Sequence, residues 1–139
     1  MLSEILASLR ARLLTSSSLA QETVRDGQTQ TNGFFQSVVV DNTPAFILNN
    51  DLARFLNFGQ VETNDAASAV SVEADDAQIF NFRTGSIDAN GAAATGIEVT
   101  DGSSADIRNF GSIAGELNGV EFSGAGRSRR LADFRGGED

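Results

Sequence analysis

The chain has 139 residues, a formal net charge of −9, ten Phe, fourteen Gly and one Pro, and it lacks Cys, His, Trp and Tyr. Its length fits a single domain. Without Cys and His, the chain has no disulfide, thiolate nucleophile, imidazole base or His-liganded zinc site. The negative charge argues against nucleic acid as a partner, because phosphate backbones attract basic surfaces.

Residues 1–20 are predicted to form a short amphipathic helix followed by a polar linker. The apolar residues that recur at helical spacing there include Leu2, Ile5, Leu6 and Leu9. Residues 18–20 are similar to a signal-peptide cleavage site, but Glu4 precedes the apolar part, and Arg10 and Arg12 interrupt it. We therefore expect this segment to be retained and to contact protein. No window reaches the ~18 apolar residues of a transmembrane helix, so we expect no membrane insertion.

Residues 21–139 have a different pattern, in which short β-rich runs alternate with Gly, Asn, Asp and Ser. The segment 55–61 recurs at 79–87, at 107–113 and, in degraded form, at 131–136. Alternating apolar and polar runs lie between these copies, at 46–49, 70–73, 97–100 and 120–123. A variable period of about 23–28 residues without helices is typical of the coils of a solenoid. The sequence predicts an all-β fold, a right-handed parallel β-helix of about four to five coils, preceded by the N-terminal amphipathic helix.

Stacked coils place equivalent residues above one another, about 4.8 Å apart. We expect an inward apolar column of Val61, Ile87 and Ile113. We expect a second column of Asn57, Asn81 and Asn109, in which each amide bonds to the next coil. Gly59, Gly85 and Gly111 follow the Asn residues, and we expect them to adopt positive φ at a tight corner.

A Phe follows the Asn or Asp in every copy, at Phe58, Phe82, Phe110 and Phe134. If the Asn points inward, strand alternation turns this Phe outward and creates an apolar edge. Three interpretations remain open. The rings are part of the core, they are covered by the N-terminal helix, or they form an interface between subunits.

Residues 96–99 carry the pattern Gly-Ile-x-Val, and residues 107–113 carry Ile-x-Asn-x-Gly-x-Ile. The repeat resembles the passenger domains of autotransporter and filamentous-haemagglutinin-type adhesins, over about residues 45–126. The resemblance implies a right-handed β-solenoid, an adhesive or structural role, and an extracellular or cell-surface location.

The sequence therefore predicts a non-enzymatic, adhesin-like solenoid that self-associates into a homo-oligomer or filament. Its contacts are expected at the Phe edge, the solenoid ends or the N-terminal helix. A glycan or cell-surface receptor is a further candidate partner. The alternative is a carbohydrate-binding module or, less favoured, a polysaccharide-cleaving enzyme that uses Asp106 with Arg108.

No cofactor is expected, with calcium as the alternative at the acidic turns of Asp75, Asp76 and Asp101. Near the C-terminus, Arg127, Arg129 and Arg130 form a basic cluster. Two interpretations of it stay open: a solvated tail, or a contact with acidic residues of a neighbouring subunit.

Overall fold

A computed structural model describes residues 22–24, 28–65, 67–100, 103–123 and 129–134. The predicted N-terminal helix, with Leu2, Ile5, Leu6 and Leu9, lies outside these residues, and so do Asp101 and Arg127. The described residues form β-strands and no helix. The strands are, in chain order, β1 (Glu22–Val24), β2 (Thr29–Asn32), β3 (Ser37–Asp41), β4 (Phe46–Leu48), β5 (Arg54–Asn57), β6 (Gln60–Asn64), β7 (Ser68–Val72), β8 (Ala77–Asn81), β9 (Ser86–Asn90), β10 (Thr95–Val99), β11 (Ala105–Asn109), β12 (Ser112–Gly115), β13 (Asn118–Phe122) and β14 (Arg129–Asp133).

The strands belong to three parallel sheets that share one winding pattern. Sheet A has the order β1-β4-β7-β10-β13, sheet B the order β2-β5-β8-β11-β14, and sheet C the order β3-β6-β9-β12. Each strand therefore pairs with the strand three positions later in the chain, and one coil consists of a B, a C and an A strand. About four such coils make a parallel β-solenoid, which confirms the predicted all-β solenoid class.

The inward columns form one continuous core. Val61 pairs in register with Ile87, and Ile87 with Ile113, so the equal 26-residue spacing in the sequence marks one column of sheet C. Sheet B adds Phe55, Ile79 and Ile107, all fully buried. Sheet A adds the columns of Phe46, Val70, Ile97 and Val120 and of Leu48, Val72, Val99 and Phe122. Burying a side chain of this size contributes about 1.5–3 kcal/mol, so these columns are the main favourable contribution to folding.

The corners between sheets B and C differ in length and account for part of the variation in the period. Two residues connect β5 to β6 and β11 to β12, whereas four residues connect β2 to β3 and β8 to β9. The strands on either side keep the same register across short and long corners. Insertions therefore bulge out at a corner while the columns stay aligned, because a shift of one residue along a strand would turn the core side chains outward.

The expected positive φ at the corner glycines is wrong. None of Gly59, Gly85 and Gly111 has φ between +20° and +160°. A Cβ on Gly59 would instead collide with the carbonyl oxygens of Gly33 and Gln36, which belong to the preceding coil. A Cβ on Gly111 would likewise meet carbonyl oxygens of the corner one coil earlier. These positions require Gly because successive backbones approach closely at the corner, a tertiary constraint and not a local one.

We predict that Gly59→Ala destabilises the fold by about 1–3 kcal/mol, because backbone atoms must move to accommodate the added methyl group. Gly33→Ala is the matched control at the first corner, where a Cβ would lie 3.3 Å from the flexible Gln36 Oε1. The control should change the free energy of unfolding by less than about 1 kcal/mol. Urea unfolding followed by circular dichroism measures both, and equal losses would contradict the close-approach explanation.

An inward position of sheet C carries a polar atom for which the described residues supply no partner. Thr63 is fully buried between Val40 and Ala89 in a column of sheet C. Its Oγ1 makes no hydrogen bond in the part of the chain that the structure describes. A buried hydroxyl without a partner costs free energy, because its bonds to water are lost on folding.

Thr63→Val should therefore raise the free energy of unfolding by about 1 kcal/mol, since it removes the unpaired hydroxyl without changing shape. Thr95→Val should have the opposite sign, because the buried Thr95 Oγ1 donates to Glu121 Oε2 at 3.1 Å. Chemical denaturation of both variants tests this contrast. A loss of stability in Thr63→Val would show that the hydroxyl is satisfied.

Candidate functional site

The corner between sheets B and C contains a buried column of asparagines. Each side-chain amide donates to the side-chain oxygen of the next coil. The bonds run from Asn32 to Asn57 at 2.7 Å, from Asn57 to Asn81 at 2.8 Å and from Asn81 to Asn109 at 2.8 Å. All four side chains are at most 2% exposed. The structure thus brings together the three asparagines that the sequence placed in one column.

The amides of Asn32, Asn57 and Asn81 each use their second proton to bond a backbone carbonyl across the corner. Asn57 Nδ2 donates to the Ser86 carbonyl at 3.1 Å, and Asn81 Nδ2 donates to the Ser112 carbonyl at 2.9 Å. Both acceptors lie at the start of the sheet C strand in the following coil. The column therefore links sheet B to sheet C through hydrogen bonds to backbone carbonyls of the sheet C strands.

The two ends of the column differ chemically. Asn32 Oδ1 at the first end is buried and accepts no hydrogen bond within the described residues. At the other end, Asp133 Oδ1 accepts from Asn109 Nδ2 at 3.3 Å. A carboxylate only accepts, so Asp133 cannot pass the pattern of donated bonds to a further coil.

Asn81→Asp should destabilise the protein by about 3 kcal/mol or more, because it removes two donated bonds and places a carboxylate against two oxygens. The matched control is Asn49→Asp, an exposed residue whose Oδ1 accepts from Asn50 Nδ2 and would still do so. We expect less than about 0.5 kcal/mol for the control. Denaturation at neutral pH measures both values. An Asn81→Asp variant as stable as the control would contradict the role of the column.

The phenylalanines that follow the asparagines form an edge along the outside of the same corner, which we call the Phe edge. It consists of Phe34, Phe58, Phe82, Phe110 and Phe134. The rings of Phe58 and Phe82 are stacked with centroids 4.0 Å apart, and those of Phe110 and Phe134 are stacked at 4.7 Å. Phe34 contacts Phe58 at 4.9 Å. The strand register thus turns a dispersed sequence motif into aligned aromatic rings.

The interpretation of these rings as core residues is wrong. Phe58 and Phe82 are half-buried, and Phe34, Phe110 and Phe134 are 62%, 40% and 53% exposed. Strand alternation explains this result for the four rings that directly follow an Asn or Asp, because the inward side chain turns the next one outward. Phe34 lies one position further along, after Gly33 in the first corner. The two other interpretations, a cover by the N-terminal helix and an interface between subunits, stay predictions.

The Phe edge is continuous with the outer surface of sheet B. Two outward columns lie beside it, and together with the edge they make up what we call the sheet B face. The first column is Thr29, Arg54, Gln78, Asp106 and Arg130, and the second is Thr31, Leu56, Phe80, Arg108 and Ala132. Phe80 joins the columns to the edge, with its ring 6.3 Å from that of Phe82.

Asp106 and Arg108 share this face, as two residues on one strand should. Arg108 Nη2 lies 3.0 Å from Asp106 Oδ2, and the Arg108 guanidinium lies 5.2 Å from the centre of the Phe80 ring. A shallow depression of about 400 Å³ lies beside Asp106. It is lined by Leu52, Asp76, Ala77, Gln78, Ala105, Asp106 and Arg130. The ion pair with Arg108 occupies one carboxylate oxygen of Asp106, the acid that the sequence analysis named for catalysis. The enzyme and carbohydrate-binding alternatives stay predictions.

The outer surfaces of sheets A and C are acidic. Glu98 pairs in register with Glu121 on sheet A, and Glu62 pairs with Asp88 on sheet C. Within the described residues, no group of three or more Asp and Glu side chains is placed to hold a metal ion. The calcium alternative stays a prediction, because Asp101 lies outside that part of the chain.

Sequence reasoning missed the first member of both columns. Asn32 and Phe34 belong to β2 and its corner, but the inward position before Asn32 is Gln30, which pairs with Phe55. The apolar residue that identifies the other copies is therefore absent. The one usable signal was the spacing of 25 residues between Asn32 and Asn57.

No family model, curated protein or solved structure shows a significant match to the chain. Its described residues contain no helix that is long and apolar enough to cross a membrane.

Proposed function

We propose that this chain is a non-enzymatic structural unit, similar in role to an adhesin, that self-associates into an oligomer or filament at a cell or particle surface. The observation that carries the proposal is the Phe edge. Partly and largely exposed aromatic rings that stack in two groups along one edge of a chain of net charge −9 indicate a contact surface, because exposed apolar patches are rare on soluble monomers unless they bind something.

The repetition of the fold supports a structural role. The same edge recurs on every coil, so a partner can contact several equivalent rings at once, and weak contacts add when many copies share a surface. The proposal includes the right-handed winding, which the strong preference of parallel strand connections supports. It also includes the likeness to autotransporter and filamentous-haemagglutinin-type passengers, which the coils of residues 96–115 support.

Of the predicted contact routes, the N-terminal helix lies outside the described residues. Between the other two, the chemistry of the solenoid ends supports the Phe edge. The last strand leaves an inward residue, Leu131, 47% exposed, which offers an apolar surface at the C-terminal end. In a head-to-tail stack in register, however, Asp133 of one copy would face Asn32 Oδ1 of the next. Both atoms are acceptors, so this end-to-end contact places two oxygens together without a proton.

The test is sedimentation velocity on the whole chain over roughly 5–500 µM, since self-association follows mass action. We expect the double variant Phe110→Ser/Phe134→Ser to raise the dissociation constant about tenfold or more, because it removes two exposed rings. The matched control is Leu117→Ser, which is 59% exposed in the connection between β12 and β13. Thermal melts confirm that both variants fold.

A wild-type chain that stays monomeric over the whole range would refute self-association. Equal weakening in the Leu117→Ser control would refute the role of the Phe edge. Electron microscopy of the associated species separates closed oligomers from filaments.

A further inference from the structure

The charge of the molecule is unevenly distributed, and this selects one face for self-association. The arginine side chains that the structure describes are Arg54, Arg83, Arg108 and Arg130. The first, third and fourth lie on the sheet B face, and Arg83 lies in the corner directly after Phe82. The acidic columns lie on sheets A and C. Two copies with net charge −9 repel each other least when their sheet B faces meet.

The order of residues along the first column is self-complementary about its centre. Counting from β2 to β14, the column reads Thr29, Arg54, Gln78, Asp106 and Arg130. Reversing the order places Arg54 opposite Asp106 and Gln78 opposite itself. The second column, reversed, places Phe80 opposite itself and Arg108 opposite Leu56, whose methyl groups can pack against the aliphatic part of the arginine. The Phe edge remains opposite a Phe edge.

A two-fold axis that lies in the contact plane and runs along β8 produces this reversal. This rotation places the second copy face to face with the first. The strands of the two copies then run in the same direction, and their coils stack in opposite directions. Each column therefore faces the same column of the other copy, and coil order is reversed. A two-fold axis along the stacking direction would instead reverse the order of columns along the strands. The first column of one copy would then face the Phe edge of the other, and Asp106 would face no arginine of the other copy.

We propose that two copies of this chain pair through their sheet B faces about a two-fold axis along β8, with Arg54 of each copy bound to Asp106 of the other. This pairing rests on the proposed self-association and names its surface, symmetry and charge contacts. The contact is closed, because each copy offers the same face and uses it once.

The size of the face makes this pairing weak. Five strands about 4.8 Å apart and three columns along the strands cover roughly 20 Å by 15 Å, or about 300 Å² of each copy. Specific interfaces of stable complexes bury about 1,200–2,000 Å² in total, so we expect dissociation constants in the upper micromolar range. Dense arrangement of copies on a surface would raise the local concentration into this range.

A charge exchange tests the pairing in the whole chain. Asp106→Arg changes the net charge from −9 to −7, which by general repulsion alone would strengthen self-association. The pairing predicts the opposite, a dissociation constant about tenfold higher, because Arg54 then faces arginine. Arg54→Asp should also weaken association, and the double variant Arg54→Asp/Asp106→Arg should return to within about threefold of the wild type. Glu62→Arg, with the same charge change on sheet C, is the matched control and should not weaken it.

A second experiment uses the absence of Cys from the chain. Gln78 lies on the axis, so Gln78→Cys should form a disulfide-linked dimer on mild oxidation at high protein concentration. Ser86→Cys, at a half-buried position on sheet C, should cross-link much more slowly.

The outcomes separate the two proposals. If the chain associates but the charge exchange has no effect and the Gln78→Cys variant cross-links no faster than the Ser86→Cys variant, self-association stands and this pairing is overturned. If the wild type stays monomeric at every concentration, the self-association proposal fails, and the pairing fails with it. Restoration by the double variant together with preferential cross-linking of the Gln78→Cys variant supports both.

Discussion

The constraint on which the structure depends is that every residue must tolerate its own equivalents about 4.8 Å above and below it. Few polar side chains satisfy this condition inside a protein, because a buried polar group needs both a donor and an acceptor in the right place. Asparagine does so, since its amide donates in one direction along the stack and accepts from the other. The column from Asn32 to Asn109 applies this property where sheets B and C meet, and it fixes the register of the corner on which the Phe edge lies.

The same constraint gives the outer surface its functional character. Outward-facing positions accept apolar, polar and charged side chains. The stacking of coils nevertheless aligns the equivalent side chains of successive repeats into columns. Phenylalanines that lie 24–28 residues apart in sequence line one edge, where they stack in two groups, and the charges separate into acidic faces and one mixed face. A small number of repeated side chains thereby forms an extended surface of aligned columns.

Irregular positions are concentrated where the repetition stops or is imperfect. Asp133 ends the asparagine column with a group that only accepts hydrogen bonds, and Leu131 remains half exposed because no described strand lies beyond it. Thr63 interrupts an apolar column and leaves a hydroxyl without a partner. Open strand edges recruit further strands unless something discourages them. An acceptor at the end of the column disfavours the in-register stacking of a second copy at that end.

The sequence by itself determined the class of fold, the core column of Val61, Ile87 and Ile113, and the column of Asn57, Asn81 and Asn109. It left open whether the phenylalanines point into the core, and the structure decided that they point outward. Repeated residue types and strand alternation can be read from the sequence alone, even when the geometry of the corners is not known. The tertiary structure decided why position 59 must be glycine, since any Cβ there would collide with the backbone of the preceding coil. It also decided that Asn32 and Phe34 are the first members of their columns, and which charged side chains share a face. Those features depend on how neighbouring coils approach each other. A backbone collision between coils, or the placement of Arg54 two coils from Asp106 in one column, exists only once the chain has wound into register.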